Sequence, residues 1–359
     1  MANNVVLITG AGGWLGGLLA HALHDDLETP NVHLILTDVV QPKAPDGAQA
    51  ITIKADLTDT AQVDALFKTE YGVPDTIYCL HGIMSRGSED NFELGVKVGG
   101  SVYLSFPEQY QADRNANPQV NVDSVRSVLD AARHHGAASA RTIKLIFTSS
   151  LAVYGGPLPS VVTPNTLAAP ESAYGMGKLV VELFINEYTR RGFIDGRIIR
   201  LPTIVIRPGA PSAATSAFIS GIVREPLKGL ESICPIGTSF DSPALDLALW
   251  VASPETTIKN FLIAKRIPAD KFLSHTRVVC LPGFTTTVRQ ELEALAQVGG
   301  AEAVERVKFV DDPTNRRVVS SWPARFDNSY ALGLGFVVDV GGMIPIVHRF
   351  KHNLEAGIA

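Results

Sequence analysis

The sequence predicts an α/β protein: a doubly wound parallel sheet in the N-terminal part, followed by a smaller, mixed C-terminal domain. Three observations carry that reading. Short apolar runs alternate with helical patterns through the first two hundred residues. A glycine-rich turn joins the first apolar run to the first helical one. Beyond about residue 205, prolines interrupt the alternation. Strands that alternate with helices predict a parallel sheet, since each crossover carries the chain back across a face and covers it.

The strand candidates are VVLIT (5–9), HLILTD (33–38), TIYCL (76–80), KLIFTS (144–149) and GRIIRLPTIV (196–205). Between them, WLGGLLAHALHDD puts Leu15, Leu18, Leu19 and Leu23 on one helical face. TAQVDALFK and NVDSVRSVLDAARHHG have the same period, and Gly136 after basic residues is the expected stop of the second. Pro208, Pro211, Pro226, Pro235 and Pro243 then punctuate the chain. FLIAKRI (261–267) and TRVVCLPG (276–283) are candidates to return to the sheet, and TVRQELEALAQVGG (287–300) is a helix closed by glycine.

The chain has 359 residues, of which 46% are hydrophobic and 19% charged. That composition supports a sizeable core and excludes a disordered chain. A net charge of -5 leaves no footprint for nucleic acid or an anionic membrane. Cys79, Cys234 and Cys280 are odd in number and scattered, as expected of reduced, buried thiols. CxxC and HExxH spacings are absent, so no metal is expected, and His134-His135 reads as a surface pair near a helix end. No signal-peptide pattern and no run of about eighteen apolar residues occurs, which points to the cytoplasm.

VVLITGAGGWLGG sets Gly10, Gly13 and Gly16 between a strand and a helix. Such a turn lets backbone N–H groups at a helix N-terminus approach a pyrophosphate. Asp38 ends the next strand, where a carboxylate accepts both adenosine ribose hydroxyls and repels a 2′-phosphate. Val39, Val40 and Gln41 follow, with no arginine for that phosphate, so the expected cofactor is NAD rather than NADP. Asp56 and Leu57, after the third strand, would edge the adenine, although an aspartate there is also a common helix cap. The expected organisation is a Rossmann-type NAD-binding domain over 1–205, with a returning segment near 246–280. A mainly substrate-binding domain spans 206–359.

Tyr174 and Lys178 are four residues apart, on one helical face, and Ser150 closes a strand whose end opens on the ligand crevice of such folds. With TGAGGWLG (9–16), DL (56–57), TSSLAVYGG (148–156) and YGMGK (174–178), the sequence resembles the extended short-chain dehydrogenase/reductase family, also called the NAD-dependent epimerase/dehydratase family. The resemblance covers nearly the whole chain. Within it the closer likeness is to the D-erythronate dehydrogenase branch, carried by YGGPLPSVVTP, by the stretch from RRGFIDGRIIRLPTIVIRPG through SGIVREPL, and by SWPARFDNSYALGLGF.

The resemblance implies Tyr174 as acid/base, Lys178 on the nicotinamide ribose and lowering the tyrosine pKa, and Ser150 orienting the substrate oxygen. A free tyrosine titrates near ~10, and Lys178 with the oxidised nicotinamide would lower that by ~2–3. The cofactor set it implies comprises Gly10, Gly13, Trp14, Leu15, Gly16, Asp38, Asp56, Leu57, Leu80, His81, Asn121, Tyr174, Lys178, Pro202 and Thr203. Arg207 and Arg224 are candidates to anchor a substrate carboxylate, and Ser85 a substrate hydroxyl. The family also implies a homodimer built on the helix starting near Asn121 and the one after Lys178, whose apolar residues occupy more than one face.

Two features depart from the family pattern. His81-Gly82 replaces two small residues, as a packed neutral ring or a substrate contact, the packed ring being the expected one. The stretch 99–120 is rich in Gly, Pro, Asn and Gln without a sustained period, and its removal joins ELGVKV to NVDSVRSVLDAAR. It reads as an active-site lid or as an accidental insert such as a retained intron. The expected function is NAD-dependent oxidation of a secondary hydroxyl on a small sugar acid such as D-erythronate. A sugar-nucleotide epimerase with tightly held NAD is the alternative, and a non-catalytic NAD sensor ranks last because Tyr174 and Lys178 are both present. A 4,6-dehydratase is disfavoured because Leu151-Ala152 stands where that chemistry has an Asp-Glu pair.

Overall fold

A computed structural model describes residues 4–82, 121–209 and 215–357. Ser85, the stretch 99–120 and Pro211 lie outside the described residues. Two compact units emerge. One comprises Met1–Ser149, Pro170–Ile198 and Leu273–Arg277, and the other Ser150–Ala169, Ile199–Phe272 and Val278–Ala359.

The first unit runs β1 (Asn4–Thr9), α1 (Trp14–His24), β2 (Val32–Asp38), β3 (Ala50–Lys54), α2 (Thr60–Ala65), β4 (Thr76–Cys79), α3 (Asp123–Ala138), β5 (Ile143–Ser150), α4 (Ala173–Arg190) and β6 (Ile194–Leu201). β6 crosses into the second unit at Ile199. β3, β2, β1, β4 and β5 pair in that order, all parallel. The strands are apolar on both faces: Val5 to Ile8, Leu34 to Leu36 and Leu145 to Phe147 are all buried. That pattern belongs to a sheet covered on both sides by helices, the doubly wound Rossmann arrangement.

The second unit adds β7 (Thr203–Ile204), α5 (Ala217–Leu227), β8 (Ser232–Cys234), β9 (Ala248–Ala252), α6 (Pro254–Arg266), β10 (Val278–Cys280), β11 (Phe284–Thr287), α7 (Val288–Gly299), α8 (Ala301–Glu305), β12 (Val307–Phe309), α9 (Pro313–Ser320), α10 (Ser329–Gly333) and α11 (Met343–Glu355). β10 flanks β6, completing a central sheet of order β10-β6-β5-β4-β1-β2-β3 among the described residues. β11, β9 and β7 make a second sheet, and β12 pairs with β8. Its core gathers Ile219, Ile222 and Val223 of α5, Leu292 and Leu295 of α7, and Val347 and Phe350 of α11.

Three elements differ from the sequence expectation, each for a local reason. FLIAKRI is the end of helix α6, not a strand. Ser253 caps that helix by accepting from Thr256 N–H, Pro254 occupies its first turn, and Ile258, Phe261 and Ala264 are buried at helical spacing. GRIIRLPTIV is two strands, because Pro202 has no N–H to give the ladder, and the chain changes sheets there. Gly136 does not stop α3, which runs on to Ala138. A Cβ on Gly136 would lie 2.7 Å from the Arg141 carbonyl oxygen, so the glycine serves close packing.

Candidate active site

A cleft of about 340 Å³ opens in the first unit at the C-terminal ends of β1, β2 and β4. Gly10, Gly13, Asp38, Asp56, Leu57, Leu80, His81, Gly82 and Ser124 all line it. Its floor is backbone brought close by glycine. Gly10 has φ +75, and a Cβ there would lie 2.7 Å from His81 N. At Gly16 a Cβ would collide with the Gly10 carbonyl oxygen. α1 begins at Trp14 with Gly13 as its N-cap and no side chain capping it, so its first-turn N–H groups are not taken by a capping side chain. A cradle that a Cβ would fill, leading into a helix N-terminus, fits the pyrophosphate of a dinucleotide.

Asp38 is fixed at the end of β2. Gly12 N–H donates to its Oδ2 at 3.0 Å and Val39 N–H to its Oδ1 at 2.7 Å. A carboxylate has about four acceptor positions, so each oxygen keeps one for a ribose hydroxyl. Gly12 itself was not singled out in the sequence, although its N–H is what aims Asp38. Asp56 shapes the adjoining turn by accepting from Thr58 N–H and Oγ–H, and the cap of α2 is Asp59.

His81 is held at both ring nitrogens. Its Nδ1 lies 2.7 Å from Thr9 Oγ1 and its Nε2 lies 2.8 Å from Ser124 Oγ. Thr9 Oγ1 also lies 3.3 Å from the Tyr78 carbonyl, so both ring nitrogens of His81 are held by hydroxyls of other elements. Burial, followed by the nearby Lys178 ammonium, pushes the imidazole down to about 3. His81 is therefore a neutral strut joining β1, β4 and α3. Its partners Thr9 and Ser124 are distant in sequence, so its place between them is not visible there.

Tyr174 and Lys178 share one face of α4, with Lys178 Nζ 5.7 Å from the Tyr174 ring centroid. Lys178 is buried, and its ammonium donates to the Thr148 carbonyl at 2.8 Å and stacks 4.7 Å from the centre of Phe147. Burial lowers its pKa to about 8, against the opposing pull of Cys79 and Glu182. Asn121 is buried, and a Cβ on Gly82 would approach Asn121 Oδ1 at 3.1 Å and Lys178 Nζ at 3.7 Å. Gly82 therefore brings the cleft wall to the ammonium. Ser150 stands two residues beyond Thr148 along β5. Its Oγ accepts from Ala152 N–H at 3.1 Å, which leaves the hydroxyl proton to donate outward.

Pro202 and Thr203 are buried in the second unit. Arg224 is buried there too. Its guanidinium pairs with Glu225 at 2.6 Å and donates to the Arg207 carbonyl. Arg207 donates to Ser216 Oγ and to the Ile204 carbonyl, and stays partly exposed. Of the two proposed anchors, Arg224 is thus neutralised within its own unit. No group of three His, Cys, Asp or Glu side chains that could hold a metal ion occurs among the described residues. His135 bonds Asp64 at 2.6 Å and stacks on Phe67, so only His134 of that doublet is a surface group.

The model of the NAD dependent epimerase/dehydratase family matches residues 101–239. A D-erythronate dehydrogenase of Haemophilus influenzae is 39% identical over 93% of this chain and 95% of its own length. The chain belongs to the NAD dependent epimerase/dehydratase family. A second D-erythronate dehydrogenase in the family, from Cupriavidus necator, is 36% identical over 93% of this chain and 94% of its own. Among solved structures, a nucleoside-diphosphate-sugar epimerase from Agrobacterium tumefaciens superposes with a TM-score of 0.83 at 31% identity, covering 99% of this chain and 96% of that one.

Proposed function

We propose that this NAD-dependent oxidoreductase oxidises the C2 hydroxyl of a small sugar acid such as D-erythronate to the ketone. The observation that carries the reading is the buried Lys178 ammonium, beside Tyr174 and close to Gly82 of a cleft whose glycines and Asp38 fit NAD. The substrate class is supported by the two D-erythronate dehydrogenases that match almost end to end.

Oxidised nicotinamide, when bound, accepts the hydride from the carbinol carbon. Tyr174 as phenolate takes the hydroxyl proton while that carbon loses its hydrogen. Lys178 stabilises the phenolate through its positive charge and reaches the nicotinamide ribose. Ser150 donates to the oxygen as its charge develops. Asp38 binds the adenosine ribose and disfavours a 2′-phosphate, so NAD is preferred over NADP. Arg207, partly exposed where Arg224 is buried against Glu225, would hold the substrate carboxylate. The enzyme acts in the cytoplasm as a homodimer.

An epimerase acting on a nucleotide sugar is the second reading, favoured by the likeness to the Agrobacterium epimerase. A panel of aldonates and nucleotide sugars with NAD, read by NADH absorbance, separates the two. Net NADH with an aldonate supports the dehydrogenase. Conversion of a nucleotide sugar without net NADH overturns it.

A further inference from the structure

Helix α4 carries a third polar residue on the Tyr174–Lys178 face. Glu182 follows Lys178 by four residues, so the three stand on successive turns. Its side chain is deeply buried, at 1% exposure. It accepts from Ser149 Oγ at 2.5 Å. Lys178, one turn earlier, donates to the carbonyl of Thr148. Two successive turns of α4 are thereby tied to two successive residues of β5, and the next residue of β5 is Ser150. A buried carboxylate one helical turn from a buried ammonium also favours the charged form of that ammonium.

We propose that Glu182 is a positioning residue for the reaction: it keeps Lys178 charged beside Tyr174 and, through Ser149, holds the end of β5 that presents Ser150. The inference rests on the dehydrogenase reading for its role in catalysis, whereas the link between Glu182 and Lys178 rests on their one-turn spacing on α4 and on the upward pull of Glu182 on the Lys178 pKa. The groups that act on Lys178 come from three elements. β4 supplies the Cys79 thiol, which burial holds protonated by raising it to about 12, and the neutral ring of His81 lies just beyond. β5 supplies the Thr148 carbonyl and the Phe147 ring. α4 itself supplies Tyr174 and Glu182. Among these, Glu182 is the carboxyl group. Without it, one of the two influences that oppose burial at Lys178 is gone, and the ammonium loses its proton at lower pH.

Glu182→Gln tests this, because a glutamine oxygen still accepts from Ser149 while the charge is gone. Lysine labelled with carbon-13 at the ε position reports the Lys178 titration by NMR, with Lys178→Arg assigning the resonance. The expected result is a midpoint about one pH unit lower in Glu182→Gln, together with an equal downward shift of the basic limb of kcat. Ser149→Ala removes the hydrogen bond and keeps the charge, so it leaves the Lys178 midpoint in place. If Glu182→Gln does not fold, the double variant Ser149→Ala, Glu182→Leu removes the buried pair as a unit and is read the same way. An unchanged Lys178 midpoint in a folded variant lacking the carboxylate overturns the proposal. Failure of both variants to fold makes Glu182 a folding residue and overturns it as well. Failure of the dehydrogenase reading would show instead as conversion of a nucleotide sugar without net NADH, with the Lys178 midpoint still moved by Glu182→Gln.

Discussion

Tyr174→Phe removes one ionisable oxygen and keeps the ring that stands over Lys178. Turnover should fall by about 10²–10⁴-fold, the usual share of a positioned acid/base, while NAD affinity measured by calorimetry stays essentially unchanged. A variant with near-normal kcat would remove the acid/base role. A second residue-scale outcome concerns stability. Glu291 lies in the first turn of α7 and is completely buried, and neither of its oxygens has a hydrogen-bond partner among the described residues. Burial raises its pKa well above the ordinary carboxylate range. A carboxyl raised in the folded state contributes stability below its unfolded pKa, and that contribution is lost as pH rises toward the folded value. Glu291→Leu should therefore raise the melting temperature at pH 8 by several degrees, and by less at pH 5. A larger gain at pH 5 than at pH 8 would contradict the burial argument.

At the scale of elements, the β1–α1 turn was legible because its chemistry is local. A strand, glycines at fixed spacing, a helix and an acid ending the next strand all follow from neighbours in sequence. On the proposed reading Asp38 and that turn set the cofactor preference, so Asp38→Ala with Val39→Arg should move the ratio of kcat/KM for NAD over NADP toward NADP. An unchanged ratio would show that neither position reads the ribose. What stayed hidden depended on distant partners. Gly136 resembles a helix stop, yet it is kept for its approach to the Arg141 carbonyl. FLIAKRI has strand composition, and only the Ser253-Pro254 start upstream makes it helical. His81 and Glu182 are ordinary in sequence. Thr9, Ser124 and Ser149 give them meaning, and those contacts arise only when the sheet forms. Arg224 was a plausible anchor by position, and in the fold it pairs with the adjacent Glu225.

For the whole molecule, the surface of α4 bears on assembly. Val181 and Ile185 are buried within the first unit, whereas Leu183 is 63% exposed and Leu179, Val180 and Phe184 are only partly covered. A second copy would bury that apolar face. Light scattering should give a dimer at micromolar concentration, and Leu183→Glu should shift it toward monomer; a monomeric parent protein would refute the assignment. The central claim concerns where the hydride comes from. D-Erythronate carrying deuterium at C2 is incubated with NAD and the enzyme, and the reduced cofactor is read by mass spectrometry. Oxidation at C2 predicts NADH carrying one deuterium for each molecule of 2-keto acid formed. Recovery of the substrate with its deuterium intact and no NADH would contradict it.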